Sequence, residues 1–126
     1  MLTKKRVLVV DDSVANRVSF GRIFEQFGFD VVQANGGANA VEIYEEDPSF
    51  DLIVMDTDMP GLNGFTSARL IRQYQIAKRP FIIGVGSSPG DSEKAVSAGM
   101  DFYVVRSEAK QMLHQNVGLS LVRGGR

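Results

Sequence analysis

Several residue types are missing or rare in this 126-residue chain, and each absence excludes a class of function. There is no cysteine, so the chain has no disulfide framework, no thiol redox centre and no cysteine-ligated zinc. A single histidine, His114, cannot build a histidine-rich metal site. The 14 basic and 15 acidic residues nearly cancel. Because no strong net charge favours nucleic acid or an acidic membrane surface, we expect neither as a partner.

Long hydrophobic runs are absent as well. No apolar run approaches the roughly 20 residues that span a bilayer. The basic residues at positions 4–6 precede only a four-residue apolar run, 7–10, which is too short for a signal-peptide core of about 7 residues or more. We therefore expect a cytoplasmic protein. The length predicts one domain over residues 1–126, with a core of about 5–121 and a tail at 122–126.

Strand-like and helix-like segments alternate along the whole chain. Short apolar or β-branched runs predict five strands, at 7–10, 29–34, 52–55, 81–85 and 102–105. Apolar residues at helical spacing follow each run, and Ser13, Gly28 and Gly99 stand where helices would begin or end. Strands separated by helices pair in parallel through right-handed crossovers. The sequence therefore predicts an α/β fold, a single doubly wound five-stranded parallel sheet with five flanking helices.

Acidic residues follow two of the apolar strands. Asp11 and Asp12 come after the first strand, and Asp56 and Asp58 follow the third. Functional residues of such sheets gather at the carboxyl ends of the strands. If these two strands are neighbours, the carboxylates converge and repel one another, and Mg²⁺, which prefers oxygen ligands, relieves the repulsion. A carboxylate beside Mg²⁺ can also attack phosphorus as a nucleophile.

These residues carry a resemblance to a known family. The segments at 7–13, 55–64 and 98–101 resemble the response-regulator receiver domain of two-component signalling, and the match extends over about 120 residues. The resemblance implies a flavodoxin-like sheet of order 2-1-3-4-5. It also implies an Mg-dependent phosphorelay, in which a histidine kinase or a histidine phosphotransfer protein supplies the phosphoryl group. Output would be by contact with an unknown downstream protein.

The resemblance assigns roles to individual residues. Asp56 matches the phosphoacceptor, and Asp11 and Asp12 match the acidic pair that binds Mg²⁺. The backbone carbonyl of Asp58 matches the remaining protein ligand of the metal. Tyr103 matches an aromatic residue of the fifth strand that changes rotamer on phosphorylation. The family is not enzymatic beyond self-phosphorylation and autodephosphorylation, so we expect no further catalytic activity.

Two departures from the family pattern concern the phosphoryl contacts. The family has Lys-Pro at the end of the fifth strand, where this chain has Arg106-Ser107, and Arg is not equivalent to Lys in shape or hydrogen bonding. The family has Thr or Ser at the end of the fourth strand, where this chain has Gly86. Ser87 stands one position later and is the nearest alternative hydroxyl. The acceptor and metal residues are therefore intact, while the residues that respond to phosphorylation are altered.

Other interpretations of the same residues remain. A degenerate receiver, acting as a phosphorylation-independent protein-binding module, is the main alternative. The Asp56-Thr57-Asp58 segment also resembles the nucleophile motif of haloacid-dehalogenase phosphatases, but that motif belongs on a first strand in a longer chain. His114 as a phosphotransfer residue is disfavoured because such histidines usually stand on helical bundles. The residues after the last helix are too few for an effector domain, so the chain is either a single-domain regulator or a part of a larger protein.

Overall fold

The computed structural model describes residues 4–74 and 78–122, with side chains as far as residue 117. The strands are β1 (Arg6–Val10), β2 (Asp30–Ala34), β3 (Leu52–Asp56), β4 (Phe81–Gly86) and β5 (Phe102–Val105). The helices are α1 (Val14–Gln26), α2 (Gly37–Glu46), α3 (Gly64–Arg72), α4 (Ser92–Ser97) and α5 (Arg106–Val122), and a 3₁₀ turn, Pro89–Asp91, precedes α4. The order of elements confirms the predicted alternation.

All five strands pair in parallel in one sheet of order β2-β1-β3-β4-β5. This confirms both the doubly wound class and the strand order implied by the resemblance. β1 and β3 are neighbours, with Val10 opposite Met55, so the acidic residues that follow these strands meet at one edge of the sheet. β2 and β5 form the two outer edges, and the polar residues of β2, Asp30 and Gln33, suit an edge strand.

Two apolar layers cover the sheet, because successive strand side chains point to opposite faces. Leu8 and Val10 of β1 pack on one face with α2, α3 and α4. Val7 and Val9 pack on the other face with α1 and α5. Strands buried on both sides explain why β1 and β3 are continuous apolar runs in the sequence.

Some boundaries differ from the predicted ones. Asp56 is the last residue of β3 and not the first residue of a loop, and Gly86 is the last residue of β4. Arg106, predicted to end the fifth strand, is the first residue of α5, because that helix follows β5 without a connecting loop. α5 continues through Gly118 to Val122. The rest of the predicted tail, 123–126, lies outside the described residues.

The helix starts that border the acidic edge have side-chain caps. Ser13 caps α1, where its hydroxyl accepts a hydrogen bond from the backbone N–H of Asn16 at 3.2 Å. Asn63 caps α3 through a hydrogen bond from the N–H of Thr66 at 3.0 Å. Within the described ranges, no helix is long and apolar enough to cross a membrane.

Candidate functional site

Three carboxylates meet at the carboxyl ends of β1 and β3. Asp11 and Asp12 follow β1, Asp56 ends β3, and one oxygen of each lies within 4.8 Å of the others. Asp11 and Asp56 are each only 3% exposed, whereas Asp12 is exposed. The cluster is therefore open to solvent on the side of Asp12 and closed behind the other two side chains.

The first turn of α1 holds Asp11 in place. Its Oδ1 accepts hydrogen bonds from the backbone N–H of Ser13 at 2.9 Å and from Asn16 Nδ2 at 3.4 Å. Arg17 Nη1 donates to the backbone carbonyl of Asp11 at 2.8 Å. A carboxylate held by an adjacent helix start keeps its position when a ligand arrives, which is the preorganisation that a binding site requires.

The two oxygens of Asp56 have different surroundings. Oδ1 accepts hydrogen bonds from the backbone N–H of Asp58 at 3.0 Å and from Arg106 Nη2 at 2.7 Å. Oδ2 has no hydrogen-bond donor within 4–74 and 78–122, so it remains available to a ligand. Burial raises the pKa of Asp56 to about 6 and the Asp11 charge adds to this, while the Asp58 N–H and Arg106 act in the opposite direction.

The loop between β3 and α3 approaches Asp56 closely. A β-carbon on Gly64 would overlap the backbone carbonyl of Asp56 and lie 2.8 Å from the Cα of Thr57. Only glycine allows the start of α3 to pack this tightly against the end of β3. Gly64 therefore shapes the loop that presents Asp56 for a steric reason.

The donor set fits Mg²⁺. Three clustered carboxylates are hard oxygen ligands, and they carry more negative charge than the single Arg106 cation beside Asp56 balances. The predicted fourth contribution, the backbone carbonyl of Asp58, remains a prediction. Its side chain has a different role, because Asp58 Oδ2 accepts a hydrogen bond from the backbone N–H of Ser87 at 3.1 Å and lies 3.5 Å from Arg106 Nη2.

Arg106 connects the start of α5 to the end of β3. Its guanidinium contacts both Asp56 and Asp58, and its side chain is 37% exposed. The sequence placed an Arg here in a position that carries Lys in the family. The observed contact shows that the positive charge reaches the predicted acceptor from the start of α5.

Gly86 and Tyr103 meet at the end of β4. A β-carbon on Gly86 would lie 2.5 Å from Thr57 Oγ1 and even closer to the hydroxyl oxygen of Tyr103. Tyr103 is half-buried, and its hydroxyl donates to the backbone carbonyl of Ser88 at 2.6 Å. The space that a β4 side chain would fill is therefore already occupied by the side chains of Thr57 and Tyr103.

The structure brings the predicted site residues together at the carboxyl ends of the strands. Asp11, Asp12 and Asp56 cluster, Arg106 contacts Asp56 and Asp58, and the N–H of Ser87 donates to Asp58. Gly86 lies beside Thr57 and Tyr103. His114 lies elsewhere, on α5 against Phe27, with Nε2 3.3 Å from Gln26 Oε1. Two sets of contacts were not predicted from the sequence: the position of Thr57, which is 2% exposed, beside Gly86, and the contacts of Asn16 and Arg17 with Asp11. The spacing of Asn16 and Arg17 within the first turns of α1 was the only available signal.

The sheet order and the carboxylate cluster define a doubly wound α/β domain with an acidic site at the carboxyl ends of its strands. The model of the family described as response regulator receiver domain matches residues 7–118. The chain belongs to this family: it is a receiver domain of two-component signalling, the class that receives phosphoryl groups from histidine kinases or phosphotransfer proteins.

One curated relative is the CAI-1 autoinducer sensor kinase/phosphatase CqsS of Vibrio cholerae, 32% identical over 117 residues. The match covers 90% of this chain and 17% of that protein, so the chain spans a small part of the relative. Among solved structures, the Vibrio cholerae chemotaxis protein CheY4 superposes with a TM-score of 0.81 at 24% identity. That match covers 92% of this chain and 98% of the other, and it shows the fold alone.

Two further solved structures are more informative about sites. The receiver domain of the Arabidopsis thaliana histidine kinase CKI1, complexed with Mg²⁺, matches with a TM-score of 0.71 and 30% identity. It covers 86% of this chain and 87% of the other. A Saccharomyces cerevisiae structure containing the phosphotransfer protein Ypd1 and the receiver domain of Ssk1 matches with a TM-score of 0.74 and 26% identity, over 84% and 81% of the two chains.

Proposed function

We propose that Asp56 is the residue of this chain that accepts the phosphoryl group. The observation that carries the proposal is the asymmetry of its carboxylate: Oδ1 is held by Asp58 N–H and Arg106, and Oδ2 is free of donors in the described part of the chain. A nucleophile needs one fixed orientation and one free lone pair. Asp11 also has one held and one free oxygen, but no cation contacts its carboxylate in the described part of the chain, whereas Arg106 contacts that of Asp56. Asp12 is exposed to solvent.

The transfer step follows from this geometry. Oδ2 of Asp56 attacks phosphorus of a phosphohistidine, the P–N bond breaks, and its electron pair leaves with the imidazole. The product is an acyl phosphate on Asp56, which water hydrolyses. When bound, Mg²⁺ supplies charge neutralisation for the phosphoryl oxygens. Asp11, Asp12 and Asp56 would hold the ion, together with the backbone carbonyl of Asp58, and Arg106 holds a second positive charge beside the acceptor.

The family supports a proposal about the phosphoryl donor of the domain and about how the domain passes its signal on. The donor is a histidine kinase or a histidine phosphotransfer protein, a proposal supported by the Ypd1–Ssk1 complex. Output is by contact with a downstream protein, without nucleic acid and in the cytoplasm. We expect the domain to show no enzymatic activity beyond its own phosphorylation and dephosphorylation.

Intact-mass spectrometry after acetyl phosphate treatment in Mg²⁺ tests the assignment. The wild type should gain one phosphoryl group, and Asp56→Asn should gain none. Asp58→Asn is the matched control, because it removes a neighbouring carboxylate that the proposal does not use as an acceptor, and it should still be labelled. Equal labelling of wild type and Asp56→Asn would refute the assignment.

One observation favours a second function, a phosphorylation-independent binding module. The guanidinium of Arg106 already pairs with Asp56 at 2.7 Å, so the acceptor has a partner without any phosphoryl group or metal. In that case neither the wild type nor Arg106→Lys would be labelled by acetyl phosphate or by a histidine kinase. Labelling of the wild type would exclude this function.

A further inference from the structure

The side chain of Arg17 makes two hydrogen bonds beside the acidic cluster. Nη1 donates to the backbone carbonyl of Asp11 at 2.8 Å, and Nε donates to Oε1 of Gln33 on β2 at 3.1 Å. Because both nitrogens belong to one planar guanidinium, the two contacts together fix the orientation of that group. Arg17 therefore joins the first turn of α1 to the end of β1 and to the outer strand β2.

The carbonyl that Arg17 holds belongs to the peptide group between two of the three clustered acidic residues. The carbonyl of Asp11 and the N–H of Asp12 are parts of the same planar unit. The N–H of Asp11, in the preceding peptide group, donates to the carbonyl of Ala34 at 3.2 Å. Since the peptide groups on both sides of Asp11 are tied, the position of the Asp12 Cα relative to Asp11 is fixed.

The two carboxylates depend on this backbone to different degrees. The Asp11 carboxylate has its own supports, because Oδ1 accepts hydrogen bonds from the Ser13 N–H at 2.9 Å and from Asn16 Nδ2 at 3.4 Å. Asp12 is exposed to solvent, so the backbone determines where its carboxylate can reach. The peptide group that Arg17 holds therefore sets the separation of the Asp11 and Asp12 carboxylates.

A charge effect and a positioning effect of Arg17 have opposite signs. If Arg17 acted only through its charge, its removal would strengthen cation binding, because like charges repel. If it acts by fixing the peptide group, its removal weakens cation binding. Its hydrogen bonds go to a backbone carbonyl and a neutral amide oxygen, and both contacts are geometric restraints on the end of β1.

We propose that Arg17, anchored by Gln33, is a positioning residue that sets the geometry of Asp11 and Asp12 and thereby the preference of the acidic site for Mg²⁺ over Ca²⁺. The inference rests on the proposed function, in which Asp11, Asp12 and Asp56 hold Mg²⁺. Mg²⁺ requires nearly octahedral oxygen ligands at about 2.0–2.1 Å, whereas Ca²⁺ tolerates irregular ligand sets at about 2.3–2.6 Å. A displaced Asp12 therefore weakens Mg²⁺ binding more than Ca²⁺ binding.

Calorimetric titration of the full chain with Mg²⁺ and, separately, with Ca²⁺ tests the inference. Arg17→Gln should weaken Mg²⁺ binding about 10-fold, the lower end of the range for groups that support metal ligands, and change Ca²⁺ binding less than about 2-fold. Arg17→Lys keeps the charge but lacks the planar fork, so it should lose part of the Mg²⁺ affinity. Unchanged or tighter Mg²⁺ binding in Arg17→Gln, or equal weakening for both ions, would overturn the inference.

Arg22→Gln is the matched control for the loss of charge. Arg22 is an exposed residue of the same helix, so the variant removes one positive charge and leaves the hydrogen bonds of Arg17 intact. Its preference for Mg²⁺ over Ca²⁺ should equal that of the wild type. The same loss of preference in Arg22→Gln would assign the effect to charge and contradict the positioning role.

NMR without metal examines the restraint itself. The ¹⁵N amide signal of Asp12 reports on the peptide group that Arg17 holds, and it should shift in Arg17→Gln and in Gln33→Ala but not in Arg22→Gln. Gln33→Ala removes one hydrogen bond from an exposed side chain of an edge strand, so it serves as the test variant if Arg17→Gln does not fold. An unshifted Asp12 amide in Gln33→Ala would contradict the inference.

These outcomes separate the inference from the proposed function. If the wild type is labelled on Asp56 and binds Mg²⁺ while Arg17→Gln keeps the wild-type preference between the two ions, the proposed function stands and the inference is wrong. If the wild type binds neither ion, both are wrong. If the wild type prefers Mg²⁺ and Arg17→Gln loses that preference, with a shifted Asp12 amide, both are supported.

Discussion

Two regions at the carboxyl ends of the strands differ in how closely they match the receiver family. The first edge is formed by the ends of β1 and β3, and the second edge by the ends of β4 and β5. On the first edge, Asp11, Asp12 and Asp56 stand where the family has its carboxylates, and they meet within 4.8 Å. On the second edge, Gly86 lacks a hydroxyl and Arg106 replaces Lys. The side chains of Thr57 and Tyr103 occupy the space beside Gly86 that a larger residue would take. The acceptor and metal residues therefore follow the family pattern, while the residues that would contact the phosphoryl group depart from it.

The strongest test of the acidic edge is removal of one metal ligand. Asp12→Asn should weaken Mg²⁺ binding about 10- to 100-fold, because a direct ligand matters at least as much as the outer groups that support it. Calorimetric titration with Mg²⁺ measures this. Asp58→Asn is the control, because it keeps the backbone carbonyl predicted to bind the ion, and its affinity should change far less. An equal loss in both variants would contradict the predicted ligand set.

Placing the family's Thr at position 86 should destabilise the folded protein. Gly86→Thr places atoms where the Tyr103 and Thr57 hydroxyls lie, and we expect the free energy of unfolding to fall by about 2 kcal/mol. Urea denaturation measures the change. The cost should shrink in a Tyr103→Ala background, since the space is then vacant. A stabilising Gly86→Thr would show that the Tyr103 and Thr57 hydroxyls do not occupy this space in solution.

The buried charge of Asp56 predicts a dependence of stability on pH. Burial raises the pKa of Asp56 from 3.8 to about 6, so the folded state binds this proton more tightly than the unfolded chain does. The stabilising contribution is present below about pH 4 and is lost as the pH rises through 6. In the absence of Mg²⁺, Asp56→Asn should therefore be more stable than the wild type at pH 8 by about 1 kcal/mol, a figure reduced for solvent screening at the open site.

Asp47 serves as the control for this pH dependence, because its pKa is shifted in the opposite direction to that of Asp56. Hydrogen bonds from Ser49 and Arg6 lower the pKa of Asp47, which lies beside the amino end of β1 and not at the acidic cluster. Its contribution is present above the unfolded pKa and is lost as the pH falls. Asp47→Asn should therefore lose stability at pH 8 relative to pH 3. A gain at pH 8 in both variants would indicate a general effect of charge removal.

The smallest expected effect is that of removing the positive charge of Arg106, which contacts Asp56 and Asp58. Arg106→Gln removes the cation beside Asp56, so Mg²⁺ binding should strengthen by up to about fivefold at low salt, in line with a partly exposed ion pair. Arg106→Lys keeps the charge and should bind Mg²⁺ as the wild type does. Weaker binding in Arg106→Gln would mean that Arg106 supports the metal site and does not compete with it.

The first edge could be predicted from the sequence, and the second edge could be predicted only in part. Continuous apolar runs flanked by Asp residues predicted both β1 and β3 and the convergence of their carboxylates, because parallel strands end at the same edge. The positions of Gly28 and Gly99 predicted the ends of α1 and α4, with errors of a residue or two at strand boundaries. These features depend on local periodicity and turn chemistry, which the sequence records directly.

The side chains that lie beside Gly86 on the second edge could not be predicted from local sequence patterns. Thr57 is adjacent to Asp56 in sequence, yet its hydroxyl lies against Gly86, 29 positions away, and only the pairing of β3 with β4 determines this contact. The sequence determined the fold class, the strand order through the family and the acidic site. The tertiary structure alone decided that Thr57 and Tyr103 occupy the space beside Gly86 and that Arg106 pairs with Asp56, because both depend on contacts between side chains from different strands and helices.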